Sequence, residues 1–506
     1  MYIYVTIIGK RLTKQPRVMD NLHFQISKRM KWFGIYCLTI FPLVLHVCSD
    51  NSVPLLDKGL KITNCSDCKK FSGDSSGFAT ILKKNNAPII FVGASDSILK
   101  MTMDGQLIHN ISVLSSKADK NKCKMSSKRR CNNIINGLFP QKRNGYIFAC
   151  GSNAGQLPHC WNASETSVVG SLEANAFYTF PKRKYVMSDP YIFQGYTFRD
   201  NKLNGELVRV DIYAPVGSHN SEYTLRLTDD APHFVNVYEF GNYIYYFFTE
   251  QSEEKIKDGS RITYARVGRL CKYDNGGNVK APAAFHFHTF SKARLLCPFT
   301  TDGQVFQFNN LNLTSAITGD NGEVYIYGLF RAAKPVDSMF AICRYSLSKI
   351  EKAFESKEYY VRGDKTVKTV VVGNDDLRHK KCNKSLNTRS ASYEWYKQYK
   401  NRLLHISVVT PDTGKPVITR DHGKITSMFA KNVIISSKSY DILRLFDPNF
   451  MYELFVPANF FQRANGKTFL SKRKISEESL TIKDVTEMKY DGARSDVASS
   501  TRLQKA

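Results

Sequence analysis

The chain has 506 residues, and its 72 Lys and Arg residues outnumber its 45 Asp and Glu residues to give a formal net charge of +27. A chain of this length can bury a large core, and its positive charge attracts anionic partners. The cysteines and the N-terminus indicate a compartment in which nucleic acid is not the natural partner. Sulfated glycans and acidic protein faces are the expected anionic partners, and a solvated basic surface is the alternative.

The N-terminal segment, residues 1–49, is predicted to be a lead and signal peptide. Its apolar stretch, residues 32–47, follows basic residues and is too short to span a membrane comfortably. Translation from Met30 would place this stretch directly after a short basic start, so we expect Met30 to be the functional start and cleavage to follow Ser49. The predicted location is therefore secreted, with a membrane tether through the uncleaved segment as the alternative.

The next part of the chain reads as short strands and one basic cluster. Residues 89–93 and 97–101 are apolar runs, and a turn at Asp104-Gly105 follows them. The segment 120–130 is strongly basic and is flanked by Cys123 and Cys131. A partner contact is one interpretation of this cluster, and solvated charge is the favoured one.

The most informative part of the chain is residues 231–297, which predict sheet. Its apolar runs are short, rich in aromatic and β-branched residues, and bounded by turn residues. Gly241-Asn242 lies between two of these runs, which predicts a hairpin. In residues 262–270 the apolar and basic residues roughly alternate, which indicates a strand with one solvated face.

Four motifs in this block resemble the sema domain of the semaphorins. They are PHFV at 232–235, IYYFFTE at 244–250, ARVGRLCKYDNGG at 265–277 and FSKARLLC at 290–297, in the family's order and at similar spacing. The resemblance implies an all-β fold, a seven-bladed β-propeller over residues 50–460, that serves as an extracellular ligand, usually for a plexin receptor. It also implies no catalysis, no cofactor and no metal, and family members often form homodimers.

Weaker matches extend the resemblance along the chain. Residues 131–135, 145–154, 324–330 and 341–347 are similar to further sema strands. Residues 440–443 match as well, but the family's next residues are absent, which leaves the last blade incomplete and ring closure in question. Residues 461–506 are polar and charged, and we expect them to form a disordered tail.

The twelve cysteines indicate disulfides of a secreted domain, because their spacing does not form the paired C-x-x-C units of a zinc site. Sequence alone leaves the connectivity open. The resemblance implies four pairs, which are Cys123–Cys131, Cys150–Cys160, Cys271–Cys382 and Cys297–Cys343. None of the twelve follows Cys382, so we expect that the cysteine-rich module that usually follows a sema domain is not present.

Two kinds of short motif suggest modification and adhesion. Five N-x-S/T sequons predict glycosylation on surface loops, at Asn64, Asn110, Asn162, Asn312 and Asn383. The tripeptide Arg362-Gly363-Asp364 is of the integrin-binding type. A chance occurrence in a solvated loop is the favoured interpretation, and an integrin is the alternative partner.

Three functions compete. The first is a secreted ligand of plexin-type receptors in cell or axon guidance, and the second is a truncated soluble competitor that binds the receptor without signalling. The third, a propeller hydrolase, would need converging carboxylates, metal ligands or a triad, and none occurs at convincing spacing. His286 and His288 share one face of a predicted strand, but two histidines without a third ligand make a poor metal site.

Overall fold

The computed structural model of the chain describes residues 75–489 except for 85–86, 103–105, 127–130, 142–144, 156–158, 174–183, 200–202, 212–221, 228–231, 252–261, 278–285, 302–303, 333–338, 362–367, 421–424, 436–437, 447–449, 458–468 and 475–483. The predicted signal segment with Met30, the sequon at Asn64 and the tripeptide at Arg362, Gly363 and Asp364 therefore lie outside the described residues.

The described residues form six sheets built on four-stranded antiparallel meanders, which we number in chain order. Sheet 1 contains β1 (Ser75–Lys84), β2 (Ala87–Ala94), β3 (Ser97–Met101) and β4 (Leu107–Ser112). After helix α1 (Lys117–Met125), sheet 2 contains β5 (Ile135–Pro140), β6 (Ile147–Gly151), β7 (His159–Ala163) and β8 (Val168–Glu173). Sheet 3 contains β9 (Lys184–Ser188), β10 (Tyr191–Arg199), β11 (Leu203–Asp211) and β12 (Glu222–Leu227).

Sheet 4 contains β13 (His233–Phe240), β14 (Tyr243–Gln251), β15 (Thr263–Cys271) and β16 (Ser291–Leu295). A small hairpin follows, formed by β17 (Pro298–Thr301) and β18 (Gln304–Gln307). Sheet 5 contains β19 (Asn310–Thr318), β20 (Val324–Arg331) and β21 (Phe340–Ser346), and its fourth strand, β25 (Ile418–Arg420), comes after a long insertion. The insertion holds α2 (Leu347–Ala353), β22 (Glu358–Val361), β23 (Lys368–Val371), α3 (Tyr393–Tyr399) and β24 (Leu404–Val409). Sheet 6 contains β26 (Ser427–Ile435), β27 (Lys438–Phe446), β28 (Phe450–Pro457) and β29 (Phe469–Lys474).

Consecutive sheets pack face to face around separate apolar clusters. One such cluster joins sheets 3 and 4 through Phe193, Leu207 and Phe234, and another joins sheets 4 and 5 through Phe247 and Phe330. The first strands of neighbouring sheets also touch, as β13 touches both β9 and β19. Radial repetition of four-stranded sheets is the architecture of a β-propeller, so the predicted all-β propeller class is confirmed.

This packing explains the unbroken aromatic run in β14. Successive side chains of a strand point to opposite faces, so Tyr246 and Phe248 join the cluster shared with sheet 3, while Tyr245 and Phe247 join the cluster shared with sheet 5. A strand that is buried on both faces reads as a continuous hydrophobic run. The predicted hairpin before β14 is confirmed, and Gly241 occupies its turn with a φ of 59°, which glycine adopts without steric cost.

The structure differs from the expected disordered tail at two short segments. Residues of β29 pair with β28, and a last strand, β30 (Asp484–Lys489), runs parallel to β1. Sheet 1 therefore has five strands in the order β30-β1-β2-β3-β4. The physical reason is that backbone pairing with an existing sheet satisfies N–H and C=O groups, and this needs no apolar core of the segment's own.

Candidate functional site

The most distinctive feature of the molecule is the insertion between β21 and β25, residues 347–417, which we call the insert. It leaves sheet 5, but its strand β24 runs parallel to β16 of sheet 4, with Leu404 opposite Lys292. Strands β22 and β23 continue outward from β24, which extends sheet 4 to seven strands. The insert therefore bridges two neighbouring blades and presents β23 as an outer edge.

A disulfide fixes the middle of the insert to sheet 4. Cys382 of the insert is bonded to Cys271, the last residue of β15. Beside it, the side-chain amide of Asn242 donates to the carbonyl oxygen of Cys382 at 3.0 Å, and the hydroxyl of Thr388 donates to the carbonyl oxygen of Gly276 at 2.6 Å. These contacts hold a segment without long regular structure against the blade.

Helix α3 of the insert covers two histidines that sequence analysis weighed as metal ligands. The ring of Trp395 stacks on His288 at a centroid distance of 5.2 Å, and Tyr396 stacks on His286 at 5.0 Å. The hydroxyl of Tyr399 donates to the carbonyl oxygen of Phe290 at 2.9 Å. His288 is fully buried, and burial lowers its pKa. The described residues contain no group of three His, Cys, Asp or Glu side chains that could hold a metal.

A third histidine lies between β24 and β22. The ring of His405 packs 4.2 Å from that of Tyr359, and its Nε2 atom lies 3.1 Å from the hydroxyl oxygen of Ser291. Burial lowers the pKa of His405 well below its ordinary value. The guanidinium of Arg378 lies 3.7 Å above the Tyr359 ring and donates from Nε to Asp376 at 2.7 Å.

Sheet 4 carries a buried charge cluster beneath the insert. Arg266 on β15 and Lys292 on β16 both donate to the carboxylate of Glu250 on β14, each at 2.8 Å. All three side chains have no solvent exposure. A carboxylate that is shared between two buried cations, without access to solvent, holds strands together and offers nothing to a substrate.

Asp274 organises the turn that follows β15. Its Oδ2 atom accepts hydrogen bonds from the backbone N–H groups of His288 and Thr289 at 2.7 and 2.8 Å and from the Thr289 hydroxyl at 2.8 Å. Its Oδ1 atom accepts from the Gly276 N–H at 2.9 Å. The carboxylate thus satisfies four donors in a buried loop, which is a structural role.

The return of the insert to sheet 5 is fixed by a second set of buried charges. Arg344 on β21 donates to Asp412 at 3.0 Å and lies 3.4 Å from Asp441 of sheet 6. The hydroxyl of Tyr327 donates to Asp441 at 2.5 Å. Burial raises the pKa of both Asp441 and Tyr327. The insert is therefore held where it crosses to sheet 4 and where it comes back.

The solvent side of the insert is what remains available to a partner. On β23, Lys368 and Thr369 are exposed and Val371 is 68% exposed. Exposed lysines follow at Lys380, Lys381 and Lys384. A rigid, basic strand edge can bind another macromolecule by shape and charge, but it contains no nucleophile paired with a base.

The eight cysteines with an implied partner lie together as disulfides. The structure joins Cys123 to Cys131, Cys150 to Cys160, Cys271 to Cys382 and Cys297 to Cys343. The last two link distant parts of the chain, with sequence separations of 111 and 46 residues. The first joins the insert to β15 of sheet 4, and the second joins β21 of sheet 5 to the segment directly after β16 of sheet 4.

The four sequons within the described residues differ in accessibility. Asn110 is exposed on the outer strand β4, and Asn383 is half-buried in a loop. Asn162 is half-buried on β7 and accepts from Gln141 at 2.9 Å. Asn312 is half-buried on β19, and its Oδ1 atom is shielded from solvent. Three of them lie on strands, which differs from the expectation of surface loops.

Sequence reasoning missed the buried charges and was wrong about one face of β15. The alternation of apolar and basic residues indicated a solvated face, but Arg266 is fully buried because Glu250 neutralises it. The signal that could have found the cluster is the acid that ends the aromatic run of β14. A lone glutamate in an otherwise apolar, doubly buried strand needs a cationic partner.

Comparison with known proteins identifies relatives of the chain. The profile of the Sema domain family matches residues 311–445. Human Semaphorin-6D is 29% identical over 257 residues, which cover 48% of this chain and 23% of that protein. Semaphorin-1A of Drosophila melanogaster is 27% identical over 307 residues, covering 58% of this chain and 33% of that protein. The chain spans about a quarter of the length of the Semaphorin-6D proteins it matches.

Solved structures share the fold. Drosophila Semaphorin 1b, extracellular domains 1-2, superposes with a TM-score of 0.65 at 21% identity, over 81% of this chain and 80% of that chain. Drosophila Plexin A in complex with Semaphorin 1b gives a TM-score of 0.66 at 21% identity, over 81% of both chains.

No helix within the described ranges is long and apolar enough to cross a membrane.

Proposed function

Since the chain is a sema-domain protein of the semaphorin type, we propose that it acts outside the cell as a ligand of plexin-type receptors in cell or axon guidance. The observation that carries this proposal is the propeller fold shared with Semaphorin 1b, a protein solved in complex with Plexin A. The propeller is proposed to extend over residues 50–460 and to be secreted after cleavage of residues 1–49, with membrane tethering as the alternative.

The physical arrangement of the insert supports a binding role. A ligand that is already ordered in its free state loses little conformational entropy on binding, so it binds more tightly than a mobile loop would. The Cys271–Cys382 disulfide and the buried Glu250 cluster order the insert and its blade before any partner arrives. Glu250 and the two cations that donate to it are fully buried, so this charge cluster favours a structural role over catalysis.

Binding of the full chain to a panel of plexin ectodomains tests the proposal. The chain is secreted from cultured cells, recovered from the medium and passed over each immobilised ectodomain, with an unrelated propeller protein as the control. We expect saturable binding to at least one plexin at or below micromolar concentration. Absence of binding to every plexin at that concentration would contradict the proposal.

A second measurement separates the signalling ligand from the competitor. Cells that bear the bound plexin are exposed to the chain, and their spreading or collapse is recorded. A response supports the guidance ligand. Binding without a response, together with blockade of a signalling semaphorin, supports the soluble competitor.

Sedimentation of the secreted protein reports whether it forms the expected homodimer, which would raise avidity on clustered receptors. Cell adhesion that survives Asp364→Ala would remove integrin as a partner.

A further inference from the structure

The outer strand of sheet 1, β4, exposes apolar side chains around a glycosylation sequon. Nine large apolar side chains are exposed among the described residues, and three of them, Leu107, Ile108 and Leu114, lie within four residues of Asn110. Leu107 is 54% exposed and Ile108 is 48% exposed. The receptor proposal makes no use of this cluster, so its exposure needs another explanation.

The strand is also the edge of its sheet. Sheet 1 has the order β30-β1-β2-β3-β4, so the outer side of β4 pairs with no strand in the part of the chain that the structure describes. In an antiparallel strand, every second residue directs its N–H and C=O groups away from the neighbouring strand. Such an edge is a template for a strand of another molecule, and proteins block it with lysine, proline or a bulge.

Only the start of β4 has protection of this kind. The register with β3 shifts at Ile108, which has no residue paired opposite it, so the strand bulges there. Residues 109–112 then pair regularly with β3 and contain neither lysine nor proline. Lys100, opposite His109, is ion-paired to Glu165 at 2.5 Å and therefore adds no net charge to the edge.

The sequon lies in the middle of this unprotected stretch. Asn110 is exposed, whereas its neighbour Ile111 is buried in the cluster that sheets 1 and 2 share. Because successive side chains of a strand point to opposite faces, Asn110 points away from sheet 2. Ile108 lies within about 7 Å of Asn110 along the strand. A sugar chain on Asn110 therefore begins beside both an exposed apolar side chain and the free edge.

We propose that an N-glycan on Asn110 covers the outer edge of β4 and prevents a second copy of the chain from pairing with it. In the secretory pathway the side-chain nitrogen of Asn110 forms a bond to the first sugar, a lipid diphosphate leaves that sugar, and the nitrogen loses one proton. The attached glycan is bulky and solubilising. It protects the regularly paired half of β4, while the bulge protects the other half.

Variants that remove one sequon at a time from the full secreted chain test the proposal. Ser112→Ala removes the Asn110 sequon and keeps the asparagine, and the matched control Ser385→Ala removes the Asn383 sequon, whose serine is also exposed. Glycopeptide mass spectrometry identifies the sites that carry sugar, and equal thermal melting temperatures establish that each variant folds. We expect the apparent mass of Ser112→Ala in sedimentation to rise about twofold with concentration, because two identical edges form a symmetric pair. Ser385→Ala should sediment like the unmodified chain.

A second comparison removes the sugar only after the chain has folded. The unmodified chain and the Ile108→Lys variant are secreted from cells that add only high-mannose glycans, and an endoglycosidase then trims each glycan to a single sugar. We expect the trimmed unmodified chain to associate. The trimmed Ile108→Lys chain should keep its untrimmed state of association, because a lysine on an edge strand blocks pairing.

Several outcomes would overturn the proposal. They are an Asn110 without sugar beside a glycosylated Asn383, equal association of Ser112→Ala and Ser385→Ala, an unchanged state of association after trimming, and equal association of the two trimmed chains. Loss of plexin binding by Ile108→Lys with its glycans in place would instead assign the cluster to the receptor and would also overturn the proposal.

The inference rests on the secreted location in the proposed function and is independent of plexin binding. Absence of sugar from both Asn110 and Asn383 would overturn the secreted location together with this inference. Absence of binding to every plexin would contradict the receptor proposal alone, so the two failures are distinguishable.

Discussion

Arg266 donates from Nε to Oε1 of Glu250 across 2.8 Å, and neither side chain has any solvent exposure. This pair lies between β14 and β15, on the face of β14 that also carries Tyr246 and Phe248. Lys292 completes the arrangement from β16, so three strands of sheet 4 converge on one carboxylate.

The Glu250→Gln substitution should destabilise the fold strongly. Removing the carboxylate charge leaves two buried cations, Arg266 and Lys292, beside an uncharged amide, which costs about 3–5 kcal/mol. Chemical denaturation monitored by tryptophan fluorescence measures the change in the free energy of unfolding. The matched control is Glu394→Gln, because Glu394 also accepts from a lysine, Lys397, at 2.8 Å but on an exposed surface. The exposed substitution should cost less than about 1 kcal/mol, and similar costs for both would contradict this account of the cluster.

Removal of the Cys271–Cys382 disulfide should cost more stability than removal of Cys150–Cys160. The first closes a loop of 111 residues and the second a loop of 10. In the chain-entropy model these correspond to about 5 and about 3 kcal/mol. Double Cys→Ser variants are compared by denaturation and by limited proteolysis. We expect faster cleavage within residues 355–403 in the first variant only, and equal cleavage in both would show that the disulfide does not hold the insert.

Stability should fall as the pH drops below about 6.5, the ordinary pKa of histidine. Burial lowers the pKa of His288 and His405 in the folded chain, so the unfolded chain takes up protons that the folded chain does not. Each group then lowers the free energy of unfolding by up to about 1.4 kcal/mol per pH unit until its folded pKa is reached. Nearby Asp274 favours protonation of His288 and His286 opposes it, and burial outweighs both.

The variant His288→Phe separates this effect from general acid sensitivity. Phenylalanine keeps the stacking against Trp395 and cannot take up a proton. The slope of unfolding free energy against pH between 6.5 and 5.5 should therefore become shallower by up to about 1.4 kcal/mol per pH unit, which corresponds to one proton. Denaturation curves at pH 7.5, 6.5 and 5.5 measure that slope. An unchanged slope would mean that His288 is not a source of the acid sensitivity.

Glycan occupancy should follow exposure, with Asn110 more fully occupied than Asn312. Asn110 lies exposed on the edge strand β4, while the side-chain oxygen of Asn312 is shielded within β19. Glycopeptide mass spectrometry of the secreted chain measures both sites. The Asn110→Gln variant should lose one glycan in mass, and Asn312→Gln should lose none. The reverse pattern would contradict this ranking.

Local patterns were sufficient to predict strands and a hairpin, and the propeller followed from the resemblance of those motifs to the sema domain. Each strand of sheet 4 carries its own pattern, and the turn at Gly241 marks where two of them meet. The insert was not predictable in the same way. Its strands β22 and β23 have four residues each, and the pairing of Leu404 with Lys292 joins positions far apart in the chain. No periodicity in either segment identifies such a partner.

The buried charges were hidden for a different reason. An arginine within a strand has the same pattern whether it faces water or a buried acid, so Arg266 was assigned to a solvated face. The decision depends on what the neighbouring strand places opposite, and Glu250 supplies that partner only after sheet 4 is assembled. The pair formed by Arg344 of sheet 5 and Asp441 of sheet 6 was not predictable for the same reason.

The route of the insert has a mechanical consequence. Because its chain departs from sheet 5, hydrogen-bonds to sheet 4 and is cross-linked there at Cys271, tension applied at β23 is transmitted to two blades together. Neither blade can be peeled away alone without first rupturing the parallel ladder between β16 and β24. A tethered partner that pulled on β23 would therefore apply its force to sheets 4 and 5 at the same time.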